Sequence, residues 1–353
     1  MKRIGYIYEK IYTYDNLKEA IKNASKGKKD RKQVRYVLEH MDACIANIQQ
    51  MLKSRTYRPS KMRQKTITDG ISKKERTIFV PKFYPDQIIQ WAVLLQIQPV
   101  LTKGMSDFTC ASIPGRGIHY GKRFVERWLK SDRKHTKYCL KLDVHHFYPS
   151  VNHDCLKSML RRKFKDKKLL DLLDAIIDSE NGLPIGSVTS QWFANFYLQD
   201  FDHYAKEQLH AKYYIRYMDD IVIFGANKRK LHKMFEAVKR QFHKIGLRIK
   251  HNWQVFKTDS RGVDFLGFRF FHGKTILRRA VMLRISRKVR RTAKRQTWNF
   301  HNCAAIISYL GWIKHSNSYG FYQRWIKPYV DIKKCKGVIR NENYKRQNAA
   351  IAV

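Results

Sequence analysis

Two largely apolar runs enclose a pair of adjacent carboxylates near the middle of the chain. Ile215–Tyr217 leads into Met218-Asp219-Asp220, and Ile221–Phe224 follows. Runs of β-branched and aromatic residues on both sides of acidic turn residues predict a β-hairpin with these three residues at its turn. Asp is common in turns, so an ordinary solvated turn also explains the acids. Paired acids at the tip of a buried hairpin can alternatively bind a divalent metal.

A third carboxylate lies in another apolar stretch. Leu140, Leu142 and Val144 alternate as expected of a short buried strand, and Asp143 interrupts this strand near its end. Burying a charge there is costly unless a cation or hydrogen-bond donors accompany it. Asp143 is therefore a candidate partner for the acidic hairpin.

The remaining pattern predicts mixed helices and strands. Residues 1–60 are expected to be helical, with one clear helix over residues 33–51. The other expected elements are a hairpin at 61–80, helices at 86–101, 152–177 and 228–245, a strand at 247–249, a hairpin at 262–270, and helices at 301–314 and 319–335. Asn152 is a candidate N-cap. Residues 182–200 predict a Gly-rich turn that enters an apolar helix, which is either a plain loop or a small-residue surface for a base pair.

The balance of charge indicates a class of partner. The 353 residues contain 72 Lys and Arg against 29 Asp and Glu, a formal net charge of +43. So many positive charges repel one another in a compact monomer and attract a polyanion. This favours nucleic acid as the partner. The alternative, an anionic membrane surface, calls for amphipathic basic helices or lipid anchors. No run approaches the ~18 apolar residues of a membrane span.

Basic segments are candidate phosphate contacts. The hairpin at 61–80 carries Lys73, Lys74 and Arg76, which suit a triphosphate, although a solvated hairpin is the ordinary alternative. Residues 284–295 hold seven Lys or Arg in twelve positions with helical spacing, which favours binding to a nucleic-acid backbone. The first residues lack an apolar signal segment, and the six cysteines form no CxxC pair. We therefore expect reduced thiols, no zinc site and a cytoplasmic location.

The order of these features fits one chemistry. A basic hairpin, a strand with one Asp, a Gly-Ser helix entry, an Asp-Asp hairpin and a basic helical end succeed one another. Two-metal nucleotidyl transfer uses ions ~3.5–4 Å apart to clamp the attacking 3′-oxygen and the leaving pyrophosphate. Mg²⁺ needs few protein carboxylates because it keeps waters and binds substrate phosphates. We expect Asp143 and Asp219 to hold both ions and Asp220 to support them.

The same residues resemble the conserved blocks of reverse transcriptases. Tyr217–Asp220 is similar to their Tyr-x-Asp-Asp box, Leu142–Tyr148 to their first catalytic block, and Arg76–Gln90 to an early fingers block. The resemblance implies an α+β right-hand polymerase with fingers, an antiparallel palm sheet and a helical thumb. The implied boundaries are a helical extension at 1–60, fingers at 61–135 and 155–190, a palm at 136–154 and 191–280, and a basic thumb at 281–353.

One block resembles a subfamily. Most reverse transcriptases have Gln-Gly and Ser-Pro where this chain has Ile185-Gly186 and Ser190-Gln191. The pattern Ile-Gly-x-x-x-Ser-Gln resembles the enzymes of diversity-generating retroelements. That resemblance implies mutagenic retrohoming, in which a bacterial or phage-encoded enzyme copies a template-repeat RNA into cDNA with errors at adenines. It also implies dNTPs, the cDNA/RNA hybrid and a basic, oligomeric accessory variability protein as partners.

The resemblance assigns roles to individual residues. Tyr148 is expected to reject a 2′-hydroxyl, with a core aromatic as the alternative, while Ile185, Ser190 and Gln191 are expected to set fidelity. The implied ligands of two Mg²⁺ ions, with Mn²⁺ as a substitute, are Asp143, Val144, Asp219 and Asp220. The expected dNTP contacts are Lys74, Arg76, Tyr148, Ile185 and Gly186, and the expected template and primer contacts, mostly basic residues, are Arg116, Gly267, Arg284, Arg287, Lys288 and Arg291.

Two other interpretations stay open. One is a retron, group II-intron-like or phage-defence reverse transcriptase, and the other is a non-catalytic RNA-binding scaffold, which the three acids disfavour. The residue that protonates pyrophosphate also stays open. Asn252 stands where family members often have a lysine, and Lys250 and Lys257 lie nearby in sequence.

Overall fold

The computed structural model describes residues 3–68, 75–295 and 297–351, and the chain divides into two compact units. The first unit has the bounds Met1–Gly121 and Leu140–Val255, and the second has the bounds Lys122–Cys139 and Phe256–Val353. Each unit is thus assembled from two separate stretches of sequence.

Helices account for most of the described chain. Their bounds are α1 (Tyr8–Ile11), α2 (Tyr14–Ser25), α3 (Lys32–Glu39), α4 (Met41–Lys53), α5 (Ile88–Lys103), α6 (Ile118–Ser131), α7 (His153–Lys163), α8 (Lys167–Ile177), α9 (Val188–Tyr197), α10 (Gln199–Glu207), α11 (Lys228–Lys244), α12 (Thr258–Arg261), α13 (Arg279–Ala293), α14 (Phe300–Lys314), α15 (Tyr319–Trp325) and α16 (Ile332–Ile351). Within the described ranges, no helix is long and apolar enough to cross a membrane.

The strands form three sheets. Their bounds are β1 (Arg63–Thr68), β2 (Glu75–Val80), β3 (Tyr138–Asp143), β4 (Tyr213–Tyr217), β5 (Asp220–Gly225), β6 (Gln254–Lys257), β7 (Val263–Phe265), β8 (Phe268–Phe270) and β9 (Thr275–Leu277). β1 pairs with β2, the central sheet has the order β4-β5-β3-β6, and β7-β8-β9 form the third sheet. The predicted α+β class and the hairpins at 61–80 and 262–270 are confirmed.

Helix α5 lies in the core of the first unit because it is apolar on nearly all sides. Ile88, Ile89 and Leu94 are fully buried, and the helix packs against α2 and α9. A helix with apolar residues all round is stable only when neighbours cover every face. α2 covers one of these faces and contributes the fully buried Leu17 and Ile21.

The basic run in the second unit forms one amphipathic helix, α13. Ile285 and Val289 are fully buried on the side that packs against α14 and α15. Arg284, Arg287 and Arg291 are exposed, and their spacing of three and four places them on one face. The sequence therefore separates an apolar stripe from a cationic stripe.

The long helix expected over residues 152–177 is wrong, because the chain breaks at residues 164–166 into α7 and α8. The N-cap at Asn152 is confirmed, since its side chain accepts a hydrogen bond from the backbone of Cys155 at 2.9 Å. The break has a cap of its own. Asp166 Oδ1 accepts the backbone N–H of Leu169 at 3.2 Å and thereby starts α8.

Asp166 also fastens the N-terminal segment to this helix start. Its Oδ2 accepts the backbone N–H groups of Ile7 and Tyr8 at 2.8 and 2.9 Å. Asp166→Ala leaves these N–H donors without an acceptor. We therefore expect the free energy of unfolding to fall by about 2–3 kcal/mol in urea titrations. Asp200→Ala is the control, because its exposed pair with Arg162 contributes at most about 1 kcal/mol. Equal losses in both variants would contradict the prediction.

Three other expected elements differ from the structure. The helix over residues 33–51 is divided at His40, whose ψ of +40° leaves the helical range. The helix over residues 319–335 ends at Trp325, because Pro328 cannot continue it. The strand expected at 247–249 is reduced to one bridge from Ile249 to Val144, and the paired strand, β6, begins later.

Candidate active site

The hairpin predicted around Asp219 forms in the central sheet. β4 and β5 pair with Tyr217 opposite Asp220, so Met218 and Asp219 are the two turn residues and Asp220 begins β5. Met218 has a φ of +54° and Asp219 does not have a positive φ, the pattern of a type II′ turn. Such a φ in a non-glycine residue costs of order 1–3 kcal/mol. Contacts around the turn must therefore hold it.

Asp143 ends β3, the strand beside β5. The backbone N–H of Val144 donates to the carbonyl oxygen of Asp219 at 3.3 Å, and the N–H of Lys250 donates to the carbonyl oxygen of Asp143 at 2.9 Å. The first bond brings the end of β3 to the hairpin turn, and the second brings Lys250 to Asp143. Two acids that lie 76 positions apart in sequence thus meet at one place.

The carboxylates of Asp143 and Asp219 lie against each other in a partly buried site. Burial, together with the Asp143 carboxylate, raises the pKa of Asp219 to about 6. The ammonium of Lys250 forms an ion pair with Asp143 Oδ2. The buried Asp143 Oδ1 receives no hydrogen bond from any residue that the structure describes. The pair therefore concentrates negative charge in a half-buried site.

Asp220 has a different environment from the other two acids. Its Oδ2 lies 3.6 Å from the ammonium of Lys141, one strand away on β3. Across residues 3–68, 75–295 and 297–351, no three or more His, Cys, Asp or Glu side chains form a cluster able to hold a metal ion. The structure thus brings Asp143 and Asp219 together, while Asp143 and Asp220 each have a lysine as partner.

The two paired carboxylates nonetheless fit a divalent cation. Neighbouring carboxylates in a desolvated site resist ionising together unless positive charge is present. Asp143 Oδ1 is a buried oxygen without a donor, which a cation would satisfy. Mg²⁺ is commonly held by one or two carboxylates plus substrate phosphates and water. Asp143 and Asp219 would hold such ions, and the ligand roles of Val144 and Asp220 stay predictions.

Tyr148 lies next to the same turn. Its hydroxyl donates to the sulfur of Met218 at 3.8 Å. Burial, with the nearby Asp219 carboxylate, raises the pKa of Tyr148 to about 12, so the phenol is neutral at physiological pH. Its carbonyl oxygen accepts the N–H of Leu183 at 2.8 Å. Tyr148 thereby contacts both the acidic turn and the loop that precedes Ile185.

The backbone of Ile185 and Gly186 is fastened to the β1–β2 hairpin. The N–H of Phe79 donates to the carbonyl oxygen of Ile185 at 2.7 Å. Gly186 has a φ of +120°, and a Cβ there would lie 2.5 Å from the carbonyl oxygen of Phe79. Only glycine combines this conformation with so close an approach. The side chain of Ile185 is partly exposed beside this contact.

The other predicted nucleotide and fidelity residues occupy varied positions. Ser190 is buried in α9, whereas Gln191 is exposed. Arg76 is exposed on β2. Lys74 lies outside the described residues. Their roles stay predictions.

Among the predicted template and primer contacts, Arg116, Lys288 and Gly267 have contacts within their own units. Arg116 donates to the carbonyl of Ser106 at 2.8 Å, and Lys288 donates to Asn302 at 2.6 Å. Gly267 has a φ of +82°, and a Cβ there would lie 2.7 Å from the Trp312 ring. Arg284, Arg287 and Arg291 are exposed on α13.

Sequence reasoning missed two basic residues of the central sheet. Lys141 was signalled by its position two residues before Asp143, because alternate strand residues share a face. Arg216 was signalled only as a charge within an apolar strand, and it is completely buried. Both residues lie against the turn or its acids. The sequence around each of them does not indicate which residue it will contact.

Comparisons with known proteins identify relatives of this region. The family model described as reverse transcriptase (RNA-dependent DNA polymerase) matches residues 63–270, which include the three acids. The group II intron-encoded protein LtrA of Lactococcus lactis subsp. cremoris is 27% identical over 171 residues, covering 45% of this chain and 28% of that protein. The Retron Ec73 reverse transcriptase of Escherichia coli is 32% identical over 136 residues, covering 35% of this chain and 43% of that protein.

Both relatives are matched over less than half of their own length. Among solved structures, the chain is similar to telomerase from Candida albicans, with a TM-score of 0.49 and 11% identity, over 67% of this chain and 51% of that chain.

Proposed function

Because the chain belongs to the reverse transcriptase family, we propose that it is an RNA-directed DNA polymerase that uses two-metal nucleotidyl transfer. The observation that carries this proposal is the pairing of Asp143 and Asp219 at the end of β3 and the turn of the β4–β5 hairpin. The net charge of +43 suits an RNA template and a cDNA/RNA hybrid.

The chain's own residues divide the work of this reaction. When bound, two Mg²⁺ ions supply positive charge for the attacking 3′-oxygen and the leaving pyrophosphate. Asp143 and Asp219 hold that charge in place, and Tyr148 forms one wall beside them. The ammonium of Lys250 lies at Asp143, whereas Lys257 is an exposed residue of β6. We propose that Lys250, rather than Lys257, gives a proton to the leaving group.

Primer extension tests the proposal. We expect the purified chain with an RNA template, a DNA primer, Mg²⁺ and dNTPs to make cDNA, and to make none without dNTPs. The assay is run with and without the cognate structured RNA and accessory protein. A folded chain that binds the primer–template but never extends it would contradict the enzyme function and favour the RNA-binding scaffold.

We further propose that the enzyme makes adenine-mutated cDNA from a template-repeat RNA, in the manner of diversity-generating retroelements. The support is the Ile185-Gly186 block, which lies against the β1–β2 hairpin through Phe79. The side chain of Ile185 has no hydrogen-bonding atom. It therefore cannot form a hydrogen bond that would favour a correctly shaped pair of template base and incoming nucleotide. The proposed setting is the bacterial cytoplasm, with a basic, oligomeric accessory variability protein as partner.

Ile185→Gln should restore a hydrogen-bonding side chain at this position. We expect errors opposite template adenine to fall about 10-fold, the effect of one net hydrogen bond, while errors at other template bases stay constant. Sequencing of cDNA from an adenine-rich template measures both. Ile185→Leu keeps the position apolar and should keep the wild-type error rate. Adenine errors that are unchanged in Ile185→Gln would contradict the fidelity role.

A group II-intron-like or retron reverse transcriptase is the second candidate. The similarity to LtrA and to the Retron Ec73 enzyme favours it. Wild-type cDNA that copies adenines as accurately as other bases, in the presence of the cognate RNA, would support this alternative. An adenine-mutated repeat beside the gene would support the diversity-generating function.

A further inference from the structure

A buried arginine lies next to the turn that carries Asp219. Arg216 on β4 is 0% exposed, although its guanidinium is always charged. Asp202 on α10, also 0% exposed, neutralises it. Arg216 Nε donates to Asp202 Oδ1 at 2.7 Å and Nη2 donates to Oδ2 at 2.5 Å. The carboxylate also accepts from the hydroxyls of Tyr214 at 2.5 Å and Thr109 at 2.8 Å.

The same guanidinium reaches the acidic turn. Arg216 Nη1 donates to the carbonyl oxygen of Met218 at 3.0 Å. That carbonyl belongs to the peptide between the two turn residues. A flip of this central peptide distinguishes a type II′ turn from a type I′ turn, and it would change the direction in which Asp219 leaves the backbone. The hydrogen bond from Arg216 selects the orientation that the structure has.

We propose that Arg216 is a positioning residue for Asp219. Two donors hold the peptides on either side of this acid: Arg216 binds the Met218 carbonyl, and the N–H of Val144 binds the Asp219 carbonyl at 3.3 Å. Arg216 is completely buried and acts through the backbone carbonyl of Met218. This inference rests on the proposed polymerase activity, because it assigns a role in orienting a metal-binding carboxylate.

The chemistry of the buried pair supports a positioning role over a purely structural one. A buried ion pair stabilises a fold weakly, and apolar residues of similar size often replace it without loss. A planar guanidinium, however, can grip both Asp202 oxygens and still donate to Asn195 and Met218. One lysine ammonium cannot reproduce that fork. The arginine at this place therefore fits the need to direct a donor at the turn.

A pair of variants separates the two roles. The double variant Arg216→Met with Asp202→Asn keeps the core filled and uncharged but removes the donor to Met218. We expect it to fold, by circular dichroism and thermal unfolding, yet to lose about 100-fold in kcat, as for a misplaced catalytic group. The KM for dNTP should change little. Hydrogen exchange over residues 213–225 should quicken at the turn amides.

Tyr214→Phe is the matched control, because it removes one partner of Asp202 and leaves the Arg216–Met218 bond. We expect wild-type kcat and wild-type exchange at the turn. The proposal is overturned if the double variant folds with wild-type kcat and exchange, or if Tyr214→Phe loses as much as the double variant. An inactive wild-type chain would instead contradict the polymerase function. In that case, the hydrogen-exchange comparison still decides whether Arg216 holds the turn.

Discussion

Asp219→Asn is expected to lower the rate of primer extension about a thousand-fold or more, since each 1.4 kcal/mol of lost charge stabilisation costs tenfold and a metal site supplies several kcal/mol. Asparagine keeps the size of the side chain but removes the negative charge beside Asp143. Asp220→Asn should cost only about tenfold, because among the described residues Asp220 does not join Asp143 and Asp219 in one cluster of acids. Single-turnover extension with saturating Mg²⁺ and dNTPs measures both.

Two controls accompany this comparison. Both variants should keep the wild-type circular dichroism spectrum and the wild-type affinity for primer–template, because the exposed cationic face of α13 is unchanged. Asp143→Asn should be as inactive as Asp219→Asn, since the two carboxylates share one site. If Asp220→Asn were the most damaged of the three, the division of roles between the acids would be wrong. Extension at the wild-type rate by Asp219→Asn would refute the metal site itself.

The hairpin with its acids was predictable because its signal is local. Apolar runs flank Met218, Asp219 and Asp220, and the turn lies where the pattern breaks. The α+β right-hand polymerase class was implied by the resemblance of several such blocks to reverse transcriptases, and it is confirmed by the family to which the chain belongs. What a local pattern cannot give is which residue takes the strained conformation. The structure assigns it to Met218 and makes Asp220 a strand residue.

Features that depend on distant partners were not predictable. Asp166 looked like one more polar residue on a helix, yet it caps the start of α8 through Leu169 and also accepts the backbone N–H groups of Ile7 and Tyr8. Arg216 likewise finds Asp202 on another element. Each case depends on a contact between residues whose sequence separation hides the pairing. Periodicity reports which face of an element is apolar, and it does not report which polar groups will meet.

The close approach of Gly186 to Phe79 links the nucleotide-binding block to the β1–β2 hairpin. The Ile185 carbonyl and the Phe79 N–H form one hydrogen bond, and no side chain at position 186 fits the gap. A substitution at Ile185 therefore changes the side chain while the backbone stays bonded to Phe79. This is why Ile185→Gln tests fidelity without moving the hairpin, whereas a substitution at Gly186 would disturb both.

Tyr148→Ala is expected to admit ribonucleotides. The Tyr148 ring lies beside the turn that carries Asp219. Its hydroxyl donates to the sulfur of Met218 at 3.8 Å, and the Tyr148 carbonyl oxygen accepts the N–H of Leu183 at 2.8 Å. Removal of the ring opens the space that a 2′-hydroxyl would enter. We expect the preference for dNTP over rNTP, as a ratio of kcat/KM values, to fall about 100-fold, the scale on which a pocket separates substrates that differ in one small group.

Tyr148→Phe is the matched control, because it keeps the ring and loses only the weak O–H···S contact with Met218. If steric exclusion by the ring sets sugar selectivity, the phenylalanine variant keeps the wild-type preference for dNTP while the alanine variant loses it. If the hydroxyl itself sets selectivity, both variants lose it together. Strict dNTP use by Tyr148→Ala would contradict the role in sugar selection. The ring would then be a packing residue that supports Met218. The ratio of the two variants therefore distinguishes exclusion by shape from recognition by the phenol.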